Sequence, residues 1–174
     1  MSADSILPAG AAEPRLLITG GAGFVGSNLA CAFRRNHPDL EVVALDSLRR
    51  RGSELNLPRL REAGVRFVHG DVRCPEDLER IGPIGAMVEC SAEPSVLAGY
   101  GPDRTFLVHT NLLGTVNCME AALRHGARMV FLSTSRVYPV EALNRLGCVE
   151  EETRLRLSPE PGTPGASERG IDVD

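Results

Sequence analysis

Three evenly spaced glycines directly after the first apolar run constrain the fold of this chain more than any other feature. Residues 15–19 read Arg-Leu-Leu-Ile-Thr, and Gly20, Gly23 and Gly26 follow where a helical pattern begins. The first glycine permits a tight turn, the second leaves room for a ligand at the backbone, and the third lets helix and strand pack closely. Free N–H groups and the helix dipole at this point favour an anion such as a diphosphate. The spacing therefore predicts a phosphate-binding turn, and a tight turn without ligand is the alternative interpretation.

Apolar runs and helical patterns alternate along the rest of the chain. The strands are predicted at 15–19, 41–45, 65–69, 85–90 and 128–132, and the helices at 24–35, 53–63, 75–81 and 104–125. Because the strands are continuous apolar runs, we expect helices on both faces of a parallel sheet. Right-handed crossovers give the strand order 3-2-1-4-5. The predicted fold class is α/β, a Rossmann-like doubly wound parallel sheet that is incomplete at its C-terminal side.

The composition excludes several classes of function. Hydrophobic residues make up 43% of the chain and charged residues 24%, which is typical of a globular protein with a buried core. A net charge of −4 gives no general attraction to nucleic acids or anionic membranes. The apolar runs are much shorter than the roughly 20 residues of a membrane-spanning helix. Residues 1–14 lack the basic and apolar regions of a secretory signal, so we expect a flexible leader.

The cysteines indicate a reducing environment. Five are present, an odd number, and no two are spaced as CxxC. We therefore expect buried thiols rather than disulfides or metal ligands, and a cytoplasmic location. They are Cys31, Cys74, Cys90, Cys118 and Cys148.

An acidic residue at the end of the second predicted strand supports a dinucleotide site. Asp46 follows Gly26 by twenty residues, where a carboxylate can accept hydrogen bonds from the ribose hydroxyls of adenosine. Such a carboxylate repels a 2′-phosphate, so NAD is favoured over NADP. The arginines of residues 49–51 favour the opposite choice, because arginine pairs well with phosphate. Asp71 and Val72 follow the third strand and are expected to face the adenine, although Asp71 could equally be a turn residue.

The order of motifs resembles the extended short-chain dehydrogenase/reductase family, which comprises NAD-dependent sugar-nucleotide epimerases and dehydratases. The resemblance covers about residues 15–153. Its motifs are Thr-Gly-Gly-Ala-Gly-Phe-Val-Gly at 19–26, Asp-Ser-Leu at 46–48, Gly-Asp-Val-Arg at 70–73, Asn-Leu-Leu-Gly-Thr-Val-Asn at 111–117 and Ser-Thr-Ser-Arg-Val-Tyr at 133–138.

This resemblance implies roles for individual residues. The implied cofactor-binding residues are Gly20, Gly23, Phe24, Val25, Gly26, Asp46, Asp71, Val72, Ser91, Ala92 and Asn111. Thr134 matches the family's catalytic serine or threonine, whose hydroxyl binds a sugar hydroxyl as it becomes a carbonyl. Helix 104–125 matches one of two helices that form a four-helix bundle in the family's homodimers. The resemblance thus implies NAD as cofactor and a nucleotide-diphosphate sugar as partner of the complete enzyme.

Three positions depart from the family pattern. Ser135 and Arg136 stand where the family's dehydratases carry Asp-Glu, which argues against a 4,6-dehydratase. Glu89 stands where a histidine is usual, and the sequence offers no reason for it. Segments 46–52 and 150–172 most resemble the CDP-paratose (CDP-tyvelose) 2-epimerases.

The family's proton-transfer pair, YxxxK, is absent. All 19 basic residues are arginine, and the tyrosines are Tyr100 and Tyr138. We therefore expect a partial NAD-binding Rossmann domain at 15–157, a Pro/Gly-rich loop at 158–174, and no substrate-binding part. One interpretation is the NAD-binding portion of an epimerase that acts by transient oxidation and reduction of the sugar. The alternatives are a catalytically silent NAD(P)-binding module and a truncated inactive product.

Overall fold

The computed structural model describes residues 15–100, 104–134, 138–159, 162, 164–167 and 169–171. The predicted leader, residues 1–14, lies outside them. The chain divides into two compact units, one ending at Leu132 and the other beginning at Ser133.

A five-stranded parallel sheet forms the centre of the first unit. Its strands are β1 (Arg15–Thr19), β2 (Glu41–Asp46), β3 (Arg66–His69), β4 (Ala86–Glu89) and β5 (Arg128–Phe131). The strand order is β3-β2-β1-β4-β5, and every neighbouring pair is parallel. The predicted α/β class, doubly wound sheet and strand order are therefore confirmed.

Helices cover both faces of this sheet. They are α1 (Phe24–Asn36), α2 (Leu57–Glu62), α3 (Pro75–Glu79), α4 (Thr105–Val108) and α5 (Gly114–Arg124), with 3-10 turns at Ser53–Asn56 and Val96–Tyr100. The helix predicted at 53–63 is a 3-10 turn followed by α2, because Pro58 favours the first turn of a helix. Alternate residues of the strands enter two apolar clusters, one beneath α1 and α2 and the other beneath α3 and α5.

The longest predicted helix contains an irregularity. A π-helical turn, His109–Leu113, joins α4 to α5 and includes Thr110 and Asn111. Such turns are rare and often occur at functional sites, because the wider turn changes the direction of its side chains. Gly126 follows the end of the helix, and its φ of 62° suits a residue without Cβ.

One face of this long helix exposes apolar side chains. Those of Leu112, Val116, Met119 and Leu123 are all substantially exposed, at the spacing of a single helical stripe. The opposite face is buried through Cys118, Ala121 and Ala122.

The second unit contains α6 (Val140–Asn144) and two short antiparallel pairs. Strands β6 (Cys148–Glu150) and β7 (Leu155–Leu157) form the first pair, and β8 (Ala166–Ser167) and β9 (Gly170–Ile171) form the second. The prediction of a loop at 158–174 is corrected at β8 and β9. Gly170 has a φ of 139°, which lets the chain reverse there.

The prediction that all the cysteines are buried is wrong for two of them. Cys31 and Cys118 are buried and Cys90 is half-buried, whereas Cys74 and Cys148 are exposed. Cys74 precedes the first turn of α3 and Cys148 lies in the two-stranded β6–β7 sheet, so neither is covered by the main core. All five are free thiols.

Candidate functional site

The glycine turn packs tightly between β1 and α1. Gly20 has a φ of 61° and its carbonyl accepts a hydrogen bond from the Gly23 N–H at 2.9 Å. A Cβ on Gly20 would lie 2.6 Å from the Cys90 carbonyl oxygen, and one on Gly26 would lie 2.2 Å from the Gly20 carbonyl oxygen. The predicted reasons for the first and third glycines, a tight turn and close packing, are therefore visible in the structure.

The N-terminus of α1 is suited to an anion. Gly23 caps it without a side-chain hydrogen bond, and its first turn contains no acidic residue. Phe24 and Val25 occupy this turn and are exposed, Phe24 by 84%. The N–H groups and the positive helix dipole are thus available to a phosphate group.

Asp46 connects the end of β2 to the glycine turn. Its Oδ2 accepts the Ala22 N–H at 3.0 Å, and its Oδ1 accepts the Leu48 N–H at 2.8 Å. Leu48 adopts a left-handed φ of 54°, which is unusual for a residue with a branched side chain. The carboxylate therefore holds both the phosphate turn and the strained loop that follows β2.

The loop after β3 carries an ion pair. Both carboxylate oxygens of Asp71 accept hydrogen bonds from Arg73, at 2.6–3.0 Å. This guanidinium lowers the pKa of Asp71, against the opposing effect of burial. Val72 is buried, and its carbonyl accepts a 2.9 Å hydrogen bond from the side chain of Asn117.

Sequence reasoning missed an aromatic side chain that lies beside two arginines. The guanidinium carbon of Arg49 lies 3.6 Å from the centre of the Phe106 ring, and that of Arg73 lies 4.9 Å from it. Phe106 is in α4, so only the folded chain brings it to the loops after β2 and β3. The helical pattern of the sequence identifies Phe106 as an apolar position but not as part of a site.

Glu89 ends β4 and is 2% exposed. Its Oε1 accepts hydrogen bonds from the Ser91 N–H at 2.8 Å and from the Thr19 hydroxyl at 3.3 Å. Burial raises the pKa of Glu89 and also raises the pKa of the neighbouring Cys90 thiol to about 12. Glu89 thus joins the ends of β1 and β4 and shapes the turn that passes Gly20.

Asn111 fixes the next part of that loop. Its side chain accepts the Glu93 N–H at 2.8 Å and donates to the Glu93 carbonyl at 3.3 Å. Nearby, the hydroxyl oxygens of Ser91 and Thr110 are buried and have no hydrogen-bond partner among the described residues. Buried hydroxyls without partners are unfavourable, so a polar ligand between these loops would satisfy them.

These elements surround one open cavity of about 450 Å³, within the size range of small-molecule sites. It is bounded by the glycine turn, the loops after β2, β3 and β4, and the start of the long helix. Of the predicted residues, the structure brings Gly20, Gly23, Asp46, Asp71, Val72, Ser91 and Ala92 to its walls. Asn111 does not line the cavity itself. It accepts a hydrogen bond from the N–H of Glu93, which does line the cavity.

The predicted catalytic residue, Thr134, belongs to the second unit. Ser135 and Arg136, which stand in place of the Asp-Glu expected in dehydratases, lie outside the described residues. Tyr138 donates a 3.4 Å hydrogen bond to the Ile171 carbonyl within the second unit.

Two further features concern other kinds of site. Among the described residues, no group of three or more His, Cys, Asp or Glu is arranged to hold a metal ion. In the same part of the chain, no helix has the length and apolar character to cross a membrane.

Comparison with protein families gives one match. Residues 16–164 match the model of the NAD dependent epimerase/dehydratase family. The chain is 35% identical over 165 residues to dTDP-glucose 4,6-dehydratase of Mycobacterium tuberculosis, an alignment that covers 91% of the chain and 47% of that enzyme. It is 30% identical over 167 residues to CDP-paratose 2-epimerase of Salmonella typhi, covering 84% of the chain and 44% of the relative.

A solved structure of a dTDP-glucose 4,6-dehydratase is also similar to this chain. A double mutant of DesIV, a dTDP-glucose 4,6-dehydratase from Streptomyces venezuelae with NAD bound, superposes with a TM-score of 0.63 at 37% identity. The superposition covers 71% of this chain and 40% of that one. This chain therefore spans less than half the length of the relatives described here. The comparisons place the dehydratases nearer to it than the CDP-paratose 2-epimerase that the sequence patterns favoured.

Proposed function

Because this chain belongs to the NAD-dependent epimerase/dehydratase family, we propose that it is the NAD(H)-binding portion of an enzyme that acts on nucleotide sugars. The observation that carries the proposal is the pairing of Asp46 with the glycine turn. One carboxylate contacts the backbone of that turn and also lines the cavity. A ligand with a diphosphate next to a ribose would contact both features at once.

The residues that line the cavity would suit the successive parts of such a dinucleotide. The N–H groups at the start of α1 would hold the diphosphate, and Asp46 would accept the adenosine ribose hydroxyls. Asp71 and Val72 would border the adenine. Ser91, Ala92 and the loop held by Asn111 would border the nicotinamide half. In the part of the chain that the structure describes, the hydroxyls of Ser91 and Thr110 have no partner there.

We infer a preference for NAD over NADP. The carboxylate of Asp46 lies at the end of β2 and lines the cavity, and its negative charge opposes a 2′-phosphate. Arg50 and Arg51 also line the cavity, and in the described part of the chain neither forms an ion pair. Their positive charge reduces the preference for NAD over NADP. It does not reverse that preference, because Asp46 and not an arginine lies at the end of β2.

The complete enzyme is proposed to be an epimerase. NAD supplies a hydride acceptor that can later return the hydride, so a sugar carbon can be oxidised and then reduced on its other face. Thr134 would orient the sugar hydroxyl through a hydrogen bond. Ser135 and Arg136 replace the acid and base expected for elimination, which favours epimerisation over the 4,6-dehydration of the more similar relatives. CDP-paratose 2-epimerase is the finer hypothesis, supported by segments 46–52 and 150–172.

The second candidate is a binding module without catalysis. It is favoured by the absence of lysine from the 174 residues, because the family's acid/base tyrosine depends on a lysine. Both candidates require NAD to bind. They differ in whether a Tyr-x-x-x-Lys segment acts together with this chain.

Titration with NADH, followed by nicotinamide fluorescence, tests the proposal. Asp46→Ala is expected to weaken NADH by about tenfold to a hundredfold, because hydrogen bonds to charged groups contribute roughly 1.5–3 kcal/mol. Asp39→Ala is the matched control, since Asp39 is an exposed carboxylate that does not line the cavity. Equal losses in the two variants, or none in either, would contradict the proposed site.

A further inference from the structure

We propose that Arg49, supported by Phe106, forms a stacking platform for the adenine ring and makes the site selective for purines. This inference rests on the proposed function, because it concerns the adenosine end of the same cavity. Phe106 lies outside the motifs that identify the family, and Arg49 lies only in segment 46–52, where no role is implied for it. The proposal rests on the contact between the two side chains and on where the fold places them.

The guanidinium of Arg49 is stacked on the ring of Phe106. A distance of 3.6 Å between the guanidinium carbon and the ring centre means that one flat face of the guanidinium covers Phe106. A planar guanidinium has a second face, and Arg49 lines the cavity. That arrangement leaves a flat, cationic surface for another aromatic ring.

The loop presents this surface in a defined position. Asp46 accepts the Leu48 N–H at 2.8 Å and so stabilises the left-handed turn immediately before Arg49. Arg73 lies 4.9 Å from the same ring and is paired with Asp71, so the ring that supports Arg49 also contacts a second structured side chain. Arg49 thus lies beside structured neighbours although its side chain is exposed.

The position matches the base and not another part of a dinucleotide. Arg49 follows β2 and Arg73 follows β3, the two strands on the side of Asp46 in the order β3-β2-β1-β4-β5. The diphosphate turn lies at β1, and the loop with the unpartnered hydroxyls lies beyond β4. An adenosine whose ribose reaches Asp46 would therefore extend its base toward Arg49 and Phe106.

Binding of AMP, CMP and 2′,5′-ADP by calorimetry tests the platform. The wild-type chain is expected to bind AMP more tightly than CMP, because a purine offers the larger surface for stacking. Arg49→Ala is expected to lower the affinity for AMP by about tenfold, within the range measured for loss of base stacking. The difference in affinity between AMP and CMP should become smaller. Arg49→Lys keeps the charge without the flat face and should lose most of the same affinity. Phe106→Leu should give an intermediate loss.

Arg61→Ala is the control for net charge, since Arg61 is exposed on α2 and does not line the cavity. Thermal unfolding of each variant checks that the fold is retained. Unchanged AMP affinity in Arg49→Ala, or recovery by Arg49→Lys, would overturn the proposal. A loss confined to 2′,5′-ADP would also overturn it, because Arg49 would then serve a 2′-phosphate. If NAD did not bind but AMP bound with an affinity that Arg49→Ala lowers, the proposed function would be wrong and the stacking platform would be supported.

Discussion

Substitution of Gly26 by alanine tests whether close packing at the phosphate turn is needed for NAD binding, apart from its effect on the stability of the fold. A Cβ on this residue would lie 2.2 Å from the Gly20 carbonyl oxygen and 2.9 Å from the Gly21 Cα. These are backbone atoms, so no side-chain rotation can relieve the overlap. The shortest contact falls below ordinary packing at 3.4 Å by about 1 Å, so α1 and the turn must separate by a comparable distance.

The expected loss of stability is moderate, because two effects oppose each other. Overpacking in a close-packed region typically costs about 1–3 kcal/mol. Alanine recovers up to about 1 kcal/mol, because it is the better helix former. The net loss therefore lies within about 0–3 kcal/mol and is centred at about 1.5 kcal/mol, or roughly 3–6 °C in Tm. The affinity for NAD should fall by more than tenfold, because the shift moves N–H groups that would hold a diphosphate.

Gly126→Ala provides the matched control. Gly126 has a φ of 62° and nothing within 4 Å of a built Cβ, so its substitution strains the backbone by about 1–2 kcal/mol away from the cavity. Thermal unfolding and NAD titration of both variants should show similar losses of stability but a loss of affinity only in Gly26→Ala. The reasoning would be refuted if Gly26→Ala bound NAD like the wild type, or if Gly126→Ala lost as much affinity.

Three further predictions concern Glu89, turnover and association. Burial raises the pKa of Glu89 above the value of 4.5 expected when unfolded, so its contribution to stability is lost as pH rises through the folded pKa. Glu89→Gln should therefore gain stability relative to the wild type as the pH rises above 4.5 in urea unfolding, and parallel pH profiles would refute this. When the 174-residue chain is incubated with NAD and CDP-, UDP- or GDP-sugars, no epimer should be detected by NMR. Thr134 is too weak a base to take the proton, and arginine stays protonated. Turnover that is lost in Thr134→Ala would contradict this prediction. The chain should associate weakly at the exposed stripe of Leu112, Met119 and Leu123, and a dimer that resists dilution in sedimentation would show otherwise.

Features set by local sequence were predictable. The glycine turn was recognisable because each glycine has its own steric reason within a few residues, and Gly20 and Gly26 do lie in contact with backbone. The strand order followed from continuous apolar strands and the handedness of crossovers. Asp46 was identifiable because it ends a strand at a set distance from the turn.

Features that depend on distant pairs were not predictable. Glu89 looked out of place in the sequence, and its role depends on Thr19, which is 70 residues away in the chain. Phe106 meets Arg49 only after the sheet and the long helix have packed together. The π-helical turn that carries Thr110 and Asn111 leaves no local pattern distinct from an ordinary helix. The short pairs β6–β7 and β8–β9 have too few residues to show a strand period.

Calorimetric titration of the unmodified chain with NAD and, separately, with NADP tests the central claim most directly. We expect saturable binding of one NAD per chain and weaker binding of NADP, because Asp46 opposes a 2′-phosphate at the adenosine ribose. Circular dichroism on the same sample shows whether the α/β fold is present. A folded chain that binds neither dinucleotide would contradict the claim that this cavity is a cofactor site. Equal affinity for the two would contradict the role given to Asp46.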